Sequence, residues 1–471
     1  MDNLSVLPDA LILHIFTFLP FRDAVRTSVL STRWRYLWQA TTNVDLNHRF
    51  FPDLTSMSDF IQRWMQIYRE PQLERFCLAI SNPPAIVRPL IHQCLRFALD
   101  RSVKAMEIDF SNPDFENDDD NLDVVGANVI PPQRRRRPFT VSLDSRTVLP
   151  ETLGLSACDL SFEDSNSVSN PYFGVKNLFL GWMEMPGNSI MRFLALSPNL
   201  ETLILKGCWD VGNLEIDSGT LKVLVMEKCR GLESFSVSSP KLEFLNYSTR
   251  LPQAHLQIEN VPSVREVVLD LGFQQWRNDD EHTHSIMLFD LLAQDWAVQA
   301  LTICSYTLQA LPLVGNLVLL KPSLGRTTHL CLRTQLHAQE YYGITFFLNM
   351  CSKLDLLSIH LTQTKIFEDY RWPYRVEDHP FASGLWHPSC FDKTLRTVEI
   401  KGFKGSTNEM VVLRYILRFG KVLQNLVIQA TREDDGMGEE TSRARARARD
   451  RIRRLLQYEV IASPVLKVHV R

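Results

Sequence analysis

Apolar residues near the start of the chain recur at helical spacing. Between residues 7 and 19 an apolar side chain returns every four positions, and two more lie one place round the helix axis. This pattern predicts a helix with one broad apolar stripe. Pro8 suits the first turn of such a helix, where its missing N–H costs nothing, and Pro20 ends the run.

Two further short helices are predicted to follow. One fits residues 22–29, and Ser31 is a good N-cap for the next. Trp34, Leu37 and Trp38 share one face of that last helix because they are three and four residues apart. Three short helices over about 40 residues cannot bury this much apolar surface among themselves. We therefore expect part of it to meet either a partner or a larger domain of the same chain.

A second regularity begins near residue 200. The segments LETLILKGC (200–208) and LKVLVMEKC (221–229) share the pattern L-x-x-L-x-L-x-x-C, with Met226 in the third apolar position. LEFLNY, from residue 242, and VREVVL, from residue 264, continue it at steps of 21 and 22 residues. This period is the signature of leucine-rich repeats, in which stacking on neighbours buries the apolar side chains of each short strand. Further segments resemble repeat strands and bring the total to roughly eight to ten repeats. They are VKNLFL (175–180), VQALTI (298–303), THLCL (328–332), LDLLSI (354–359), LRTVEI (395–400) and LQNLVI (423–428).

The opening residues also resemble a known motif. LPDALILHIFTFLPFRDAVRTSVLSTRWRYLW (7–38) is similar to the F-box of plant F-box proteins, in which a leading LPD, a Leu/Ile helix ending in FLP and a closing LS-x-RW-x-x-LW occur together. The resemblance implies docking onto a Skp-type adaptor of a cullin-RING ubiquitin ligase, the SCF assembly. Some of the matching side chains could instead hold the three helices together. The positions assigned to the adaptor contact or its immediate support are Leu7, Pro8, Ile15, Leu19, Trp34, Leu37 and Trp38.

A third segment, CFDKTLRTVEIKGFKGSTNEMVVLRYILRFGKVLQNLVI (390–428), resembles the FBD region that follows the repeats in plant F-box proteins. Its pattern reads as a strand, a glycine-marked turn, an amphipathic helix and a strand, which predicts a cap on the open end of the solenoid. The three resemblances together indicate a plant F-box/LRR/FBD protein. The implied fold class is α/β, with a small three-helix F-box, a leucine-rich-repeat solenoid and an FBD-like cap.

These features divide the chain into five predicted regions. One of them is acidic, then contains prolines and then four arginines, which is the composition of a flexible insertion. The regions are the F-box (1–45), a helical and strand bridge into the solenoid (46–110), the flexible insertion (111–138), the leucine-rich repeats (139–385) and the FBD-like region (386–471) with a charged insertion near 431–450.

The outward face of the repeats is predicted to recognise a target protein. If the leucine positions of each repeat point inward, strand alternation turns the residues between them outward onto one face of the sheet. These outward residues are more apolar than a solvent-exposed sheet face requires, which indicates a recognition surface. The alternative is that neighbouring loops or the FBD-like region cover them. The predicted target-binding residues are Thr202, Ile204, Val223, Val225, Phe244, Asn246, Glu266 and Val268.

Composition argues against a membrane or nucleic acid as the partner. The net charge of -3 and pI near 6.5 give no overall attraction to nucleic acid or membrane, and no apolar run reaches the roughly 18 residues of a membrane span. Arginines at every second position after residue 442 would spread round a helix rather than form one nucleic-acid-binding stripe. The chain opens without a signal-peptide pattern, so we expect a cytoplasmic or nuclear protein with nine reduced cysteines.

The sequence shows no signature of catalysis. It has no glycine-rich phosphate loop, H-E-x-x-H, G-x-S-x-G or clustered metal-ligand spacing. We therefore expect no catalytic residue, cofactor or metal, and a receptor subunit that holds an unidentified target close to partner cullin and RING subunits. Two alternatives stay open. One is a leucine-rich-repeat scaffold without ubiquitin-ligase coupling, and the other is a nucleic-acid-associated protein that uses its arginine runs.

Overall fold

The structure is a computed structural model, and it divides into an N-terminal unit (1–211) and a C-terminal unit (212–471), which are described separately. The residues described are 7–68, 70–112, 139–143, 148–162, 174–252, 254–271, 281–293, 297–311, 324–363, 366, 381, 387–430 and 439–470. Most of the predicted flexible insertion (113–138) lies outside the described residues. No helix among the described residues is both long enough and apolar enough to cross a bilayer.

The N-terminal unit opens with three short helices, as predicted. They are α1 (Asp9–Thr17), α2 (Phe21–Arg26) and α3 (Trp34–Leu37). Pro8 and Pro20 stand immediately before α1 and α2. The Ser31 hydroxyl accepts a hydrogen bond from the backbone N–H of Trp34 at 3.3 Å, which is the capping contact that the sequence predicted.

A parallel sheet begins directly after these helices. The elements that follow in this unit are β1 (Asn43–Asn47), α4 (Leu54–Ile67), β2 (Arg75–Ala79), α5 (Arg88–Leu99), β3 (Ala105–Asp109), β4 (Phe139–Leu143), β5 (Thr152–Ser156), β6 (Cys158–Phe162), β7 (Asn177–Gly181), α6 (Gly187–Leu196) and β8 (Thr202–Lys206). Hydrogen bonds join β1-β2-β3-β5-β7-β8 in that order, and β4 and β6 form a separate parallel pair.

The region predicted as a bridge (46–110) supplies strands of this sheet. Its two helices each precede a short strand whose apolar side chains are buried, such as Phe76 and Leu78 on β2. An amphipathic helix and the buried strand that follows it bury their apolar faces against their neighbours. The parallel sheet of this unit therefore starts at Asn43 and continues through the region predicted as a bridge.

The C-terminal unit contains two parallel sheets. Its strands are β9 (Gly212–Asp217), β10 (Val223–Glu227), β11 (Leu232–Ser238), β12 (Phe244–Ser248), β13 (His255–Glu259), β14 (Glu266–Leu269), β15 (Ala300–Cys304), β16 (His329–Thr334), β17 (Leu356–Leu361), β18 (Thr397–Lys401), β19 (Asn425–Gln429) and β20 (Lys467–Val470). One sheet has the order β10-β12-β14-β15-β16-β17-β18-β19-β20, and the other has the order β13-β11-β9. Every segment predicted as a repeat strand forms one.

The smaller sheet is a feature that the sequence interpretation missed. The sequence pattern predicted no strand in the segments between the regularly spaced repeat strands, whereas β9, β11 and β13 lie there. Their apolar residues alternate with polar ones, as in Phe235 and Val237, which are both buried. The rings of Phe235 and Tyr247 lie 5.5 Å apart, so the two sheets of this unit share a core.

Along the chain, the helices of the C-terminal unit lie between successive strands of its larger sheet. They are α7 (Glu281–Ala293), α8 (Ser305–Ala310), α9 (Tyr341–Met350), α10 (Ser389–Lys393), α11 (Thr407–Phe419) and α12 (Glu439–Tyr458). Glycines 402 and 405 both have positive φ in the turn before α11. Glu409 on α11 accepts the backbone N–H groups of Lys404 and Gly405 at 2.8 and 2.7 Å. The FBD-like region thus has the predicted order of strand, glycine-marked turn, helix and strand.

Part of the predicted charged insertion is regular structure. Residues 439–450 form the N-terminal part of α12, and 431–438 lie outside the described residues. Ala448, Ile452 and Leu455 are buried on one side of this helix. That apolar stripe, which the dense run of arginines hides in the sequence, packs the helix against the protein.

Candidate docking surfaces

The seven predicted adaptor-binding residues occupy different environments. Trp34 is only 4% exposed and lies in the core of the three helices, with its ring 5.6 Å from that of Phe16. Ile15 is half-buried outside this core, and Pro8 is exposed. The other four pack against the core while partly buried: Leu7, Leu19, Leu37 and Trp38. Trp34 therefore packs within the folded module, and the assignment of all seven residues to the adaptor contact or its immediate support stays a prediction.

A second set of apolar side chains in the F-box is strongly exposed. These five residues, here called the F-box apolar surface, are from 49% to 85% exposed, and none was among the residues assigned from the sequence. The helix α1 is apolar on more than one side, so spacing alone does not show which side faces the core. The members are Leu11, Phe18, Val29, Leu30 and Tyr36.

Four aromatic rings, here called the aromatic joint, connect the F-box to the sheet of the same unit. Trp38 stacks on Phe60 of α4 with 6.3 Å between ring centres. Phe21 lies 6.4 Å from Phe60 and 6.2 Å from Trp64. The ring of Trp38 thus packs both against the F-box core and against α4, so this side chain helps to hold the two together.

The outward face of the N-terminal sheet contains a pocket of about 350 Å³. Thr202 and Ile204, both predicted target-binding residues, line it beside Phe179. The floor of the pocket is open because Gly154 has no side chain. A Cβ at this position would take up part of that space and would lie 3.4 Å from Cγ of Glu107. The pocket is apolar, with an ion pair between Arg75 Nη2 and Glu107 Oε2 (3.0 Å) among its lining residues.

The other predicted target-binding residues lie on the larger sheet of the C-terminal unit. Val223, Phe244 and Glu266 are aligned across three strands, and so are Val225, Asn246 and Val268. They alternate with buried residues, as predicted. Val225 and Val268 are, however, only 9% and 8% exposed, because side chains on neighbouring strands about 4.8 Å apart cover one another.

Within that set, the amide of Asn246 is already engaged. Its Nδ2 donates a hydrogen bond to Glu227 Oε1 at 3.0 Å, and its Oδ1 accepts one from the Ser248 hydroxyl. Val223 and Phe244 are half-buried and Glu266 is exposed. The accessible apolar surface of this part of the face is therefore smaller than the alternation pattern predicts.

Strands β16, β17 and β18 carry a polar group of outward residues that the sequence interpretation did not single out. Arg333, His360 and Lys401 are aligned across the three strands and are here called the basic row. Arg333 forms an ion pair with Asp270, and His360 Nδ1 lies 3.8 Å from Cys331 Sγ. Each strand contributes one of the three residues, so only the register between strands reveals the row.

The described residues contain no arrangement of three His, Cys, Asp or Glu side chains suited to a metal ion. Eight of the nine cysteines are buried. Burial raises the pKa of Cys158 to about 12 and that of Cys304 to about 11, which keeps both as thiols at neutral pH.

Comparison with known proteins identifies the two main regions. A family model of the F-box domain matches residues 4–42, and the model described as the At1g61320/AtMIF1 LRR domain matches residues 138–457, more than half of the chain. A putative F-box/LRR-repeat protein of Arabidopsis thaliana is 31% identical over 441 residues, which cover 88% of each chain. An Arabidopsis F-box/FBD/LRR-repeat protein is 25% identical over 447 residues, which cover 91% of each. The resemblance to F-box/LRR/FBD proteins is thus confirmed, and the chain belongs to the F-box/LRR-repeat family.

Proposed function

We propose that this protein is the substrate-recognition subunit of an SCF-type ubiquitin ligase. The combination of an F-box with leucine-rich repeats supports a substrate-adaptor role in general. In our proposal the F-box docks onto a Skp-type adaptor, which links it to the cullin and RING subunits. The repeats bind the target protein, and the assembly acts in the cytoplasm or the nucleus.

The observation that carries this proposal is the F-box apolar surface. The core of the three helices is already filled by Ile12, Phe16, Ala24 and Trp34, so the five exposed residues are not needed to complete it. Apolar side chains of this size left exposed on one small module are available for contact with a partner. Each such side chain contributes about 1.5–3 kcal/mol when a partner removes it from water.

The chemistry of ubiquitin transfer belongs, in this proposal, to partner subunits. The present chain contributes proximity, because a target held in the same complex reacts as if it were at high local concentration. An assembly of this kind requires the F-box to keep a fixed position relative to the repeats. The stacking of Trp38 on Phe60 within the aromatic joint supports such a fixed position.

The first experiment measures binding of the purified full chain to a Skp-type adaptor. We expect Phe18→Ala and Leu30→Ala each to weaken binding by about 30-fold, which corresponds to roughly 2 kcal/mol for the loss of an anchoring side chain. Ile86→Ala is the matched control, because Ile86 is 87% exposed but lies outside the F-box. Trp34→Ala is less informative, because that side chain supports the fold of the module.

Circular dichroism of each variant verifies that the protein remains folded. Failure of the intact chain to bind the adaptor would overturn the proposal and favour a leucine-rich-repeat scaffold without ligase coupling. Equal losses in Phe18→Ala and Ile86→Ala would show that binding does not depend on the F-box apolar surface.

A further inference from the structure

The basic row brings three nitrogen-bearing side chains together on the outward face of the C-terminal sheet. Arg333 pairs in register with His360, and His360 with Lys401. Neighbouring strands are about 4.8 Å apart, so the long side chains of Arg333 and Lys401 can both reach a group bound over His360. Arg333 and His360 are half-buried, and Lys401 is exposed.

Two carboxylates balance the permanent charges of the row. Asp270 forms the ion pair with Arg333, and Glu399 lies two residues before Lys401 on the same face of β18. The guanidinium of Arg333 has five N–H donors, so one ion pair leaves donors for another acceptor. With His360 neutral, the two positive and two negative side chains cancel.

His360 is the group that can change this balance. The charged and titratable groups that face it are Lys401 and Glu399 from β18 and Arg333, His329 and Cys331 from β16. Burial lowers the pKa of His360, and the positive charges of Lys401 and Arg333 lower it further. The ring is therefore neutral at pH 7, and a proton added to it would create one uncompensated positive charge.

We propose that the basic row binds a carboxylate side chain within an acidic segment of the target protein. This inference rests on the proposed function, since the target is what the repeats would recognise. A carboxylate brings one negative charge, which one proton taken up from solvent by His360 would balance. A phosphate dianion would bring two negative charges close to Asp270 and Glu399, so the charge balance favours a carboxylate.

The test uses the full-length protein and fluorescein-labelled peptides, with binding followed by fluorescence anisotropy at low ionic strength. The probe is an eight-residue Gly/Ser peptide with three consecutive glutamates. A peptide with glutamines in their place and one with a single phosphoserine complete the set. We expect the glutamine peptide to bind at least about tenfold more weakly, since it lacks the charge that the row attracts.

Two variants with a matched control assign the binding to the row. Lys401→Ala is expected to weaken binding of the glutamate peptide by about tenfold. Lys353→Ala, which removes an exposed lysine from the turn before β17, should leave the affinity for this peptide unchanged.

The affinity of the wild-type protein for the glutamate peptide should rise as the pH falls from 8 to 6, by at most about tenfold per pH unit for one proton taken up. His360→Asn should abolish that pH dependence.

Equal binding of the glutamate and glutamine peptides would overturn the proposal, and so would an unchanged affinity in Lys401→Ala. Binding of the phosphoserine peptide more than tenfold tighter than the glutamate peptide would also overturn it, because the row would then be a phosphate site. No adaptor is present in this assay. A failure here would therefore leave F-box docking untouched, and a failure of adaptor binding would leave this result intact.

Discussion

Glu340 is a fully buried ionisable residue. It ends the short 3-10 turn Ala338–Glu340 that precedes α9, and its Oε2 accepts the backbone N–H of His337 at 2.7 Å. Burial raises the pKa of this carboxyl from its ordinary value of 4.5 to about 7. The folded protein therefore holds a proton on Glu340 that the unfolded chain releases at lower pH.

The stability contributed by this proton is fully present below pH 4.5 and is lost as the pH rises through about 7. Glu340→Gln keeps an acceptor for His337 and removes the ionisation. We expect the variant to gain on the order of 3 kcal/mol in unfolding free energy relative to the wild type between pH 4.5 and pH 8. Urea unfolding at both pH values measures this gain.

Glu215→Gln, which changes an exposed glutamate on β9, controls for the general effect of removing a carboxylate. A constant difference between Glu340→Gln and the wild type at the two pH values would show that Glu340 does not hold its proton in the folded protein.

At the scale of elements, the two tryptophans of α3 and the turn that follows it have separate tasks. Trp34 fills the core of the F-box, whereas Trp38 is half-buried and stacks on Phe60 of α4. We expect Trp34→Ala to destabilise the F-box by about 3–5 kcal/mol, as is usual when a buried aromatic side chain is removed. Trp38→Ala should leave the three helices folded but loosen their attachment to α4.

Hydrogen exchange distinguishes these outcomes. Trp34→Ala should remove protection from α1 to α3, while Trp38→Ala should reduce protection mainly where α4 meets the F-box. Loss of protection throughout the F-box in Trp38→Ala would contradict the assignment. Adaptor binding by that variant, once shown to be folded, would also test the predicted contact of Trp38 with the adaptor.

Elements differed in how well the sequence predicted them. The repeat strands were predictable because apolar residues occupy alternate positions in them, as Leu203 and Leu205 do on β8. The strand β11 was missed because its alternation of Phe235 and Val237 with serines does not fit the leucine pattern. The helix α12 was missed because its buried positions are few among many arginines.

At the scale of the whole molecule, the sequence predicted the types of domain in the chain better than it predicted which side chains are exposed. Trp34 and Phe18 are both aromatic residues of the F-box, yet one is buried and the other is 75% exposed. That difference depends on how the helices pack, which helical spacing does not determine. The basic row depends likewise on the register between strands that are distant in sequence.

The half-buried position of Cys331 on β16 has a practical consequence. The other eight cysteines are buried, so a maleimide dye should attach to the folded native chain at this one thiol. Burial raises the pKa of Cys331, so labelling should require mildly alkaline buffer. Mass spectrometry should find one dye per chain, and none on Cys331→Ser; two or more dyes would contradict this. Because the sulfur lies 3.8 Å from His360 Nδ1, the protein carries a natural attachment point for a fluorescent reporter of ligand arrival.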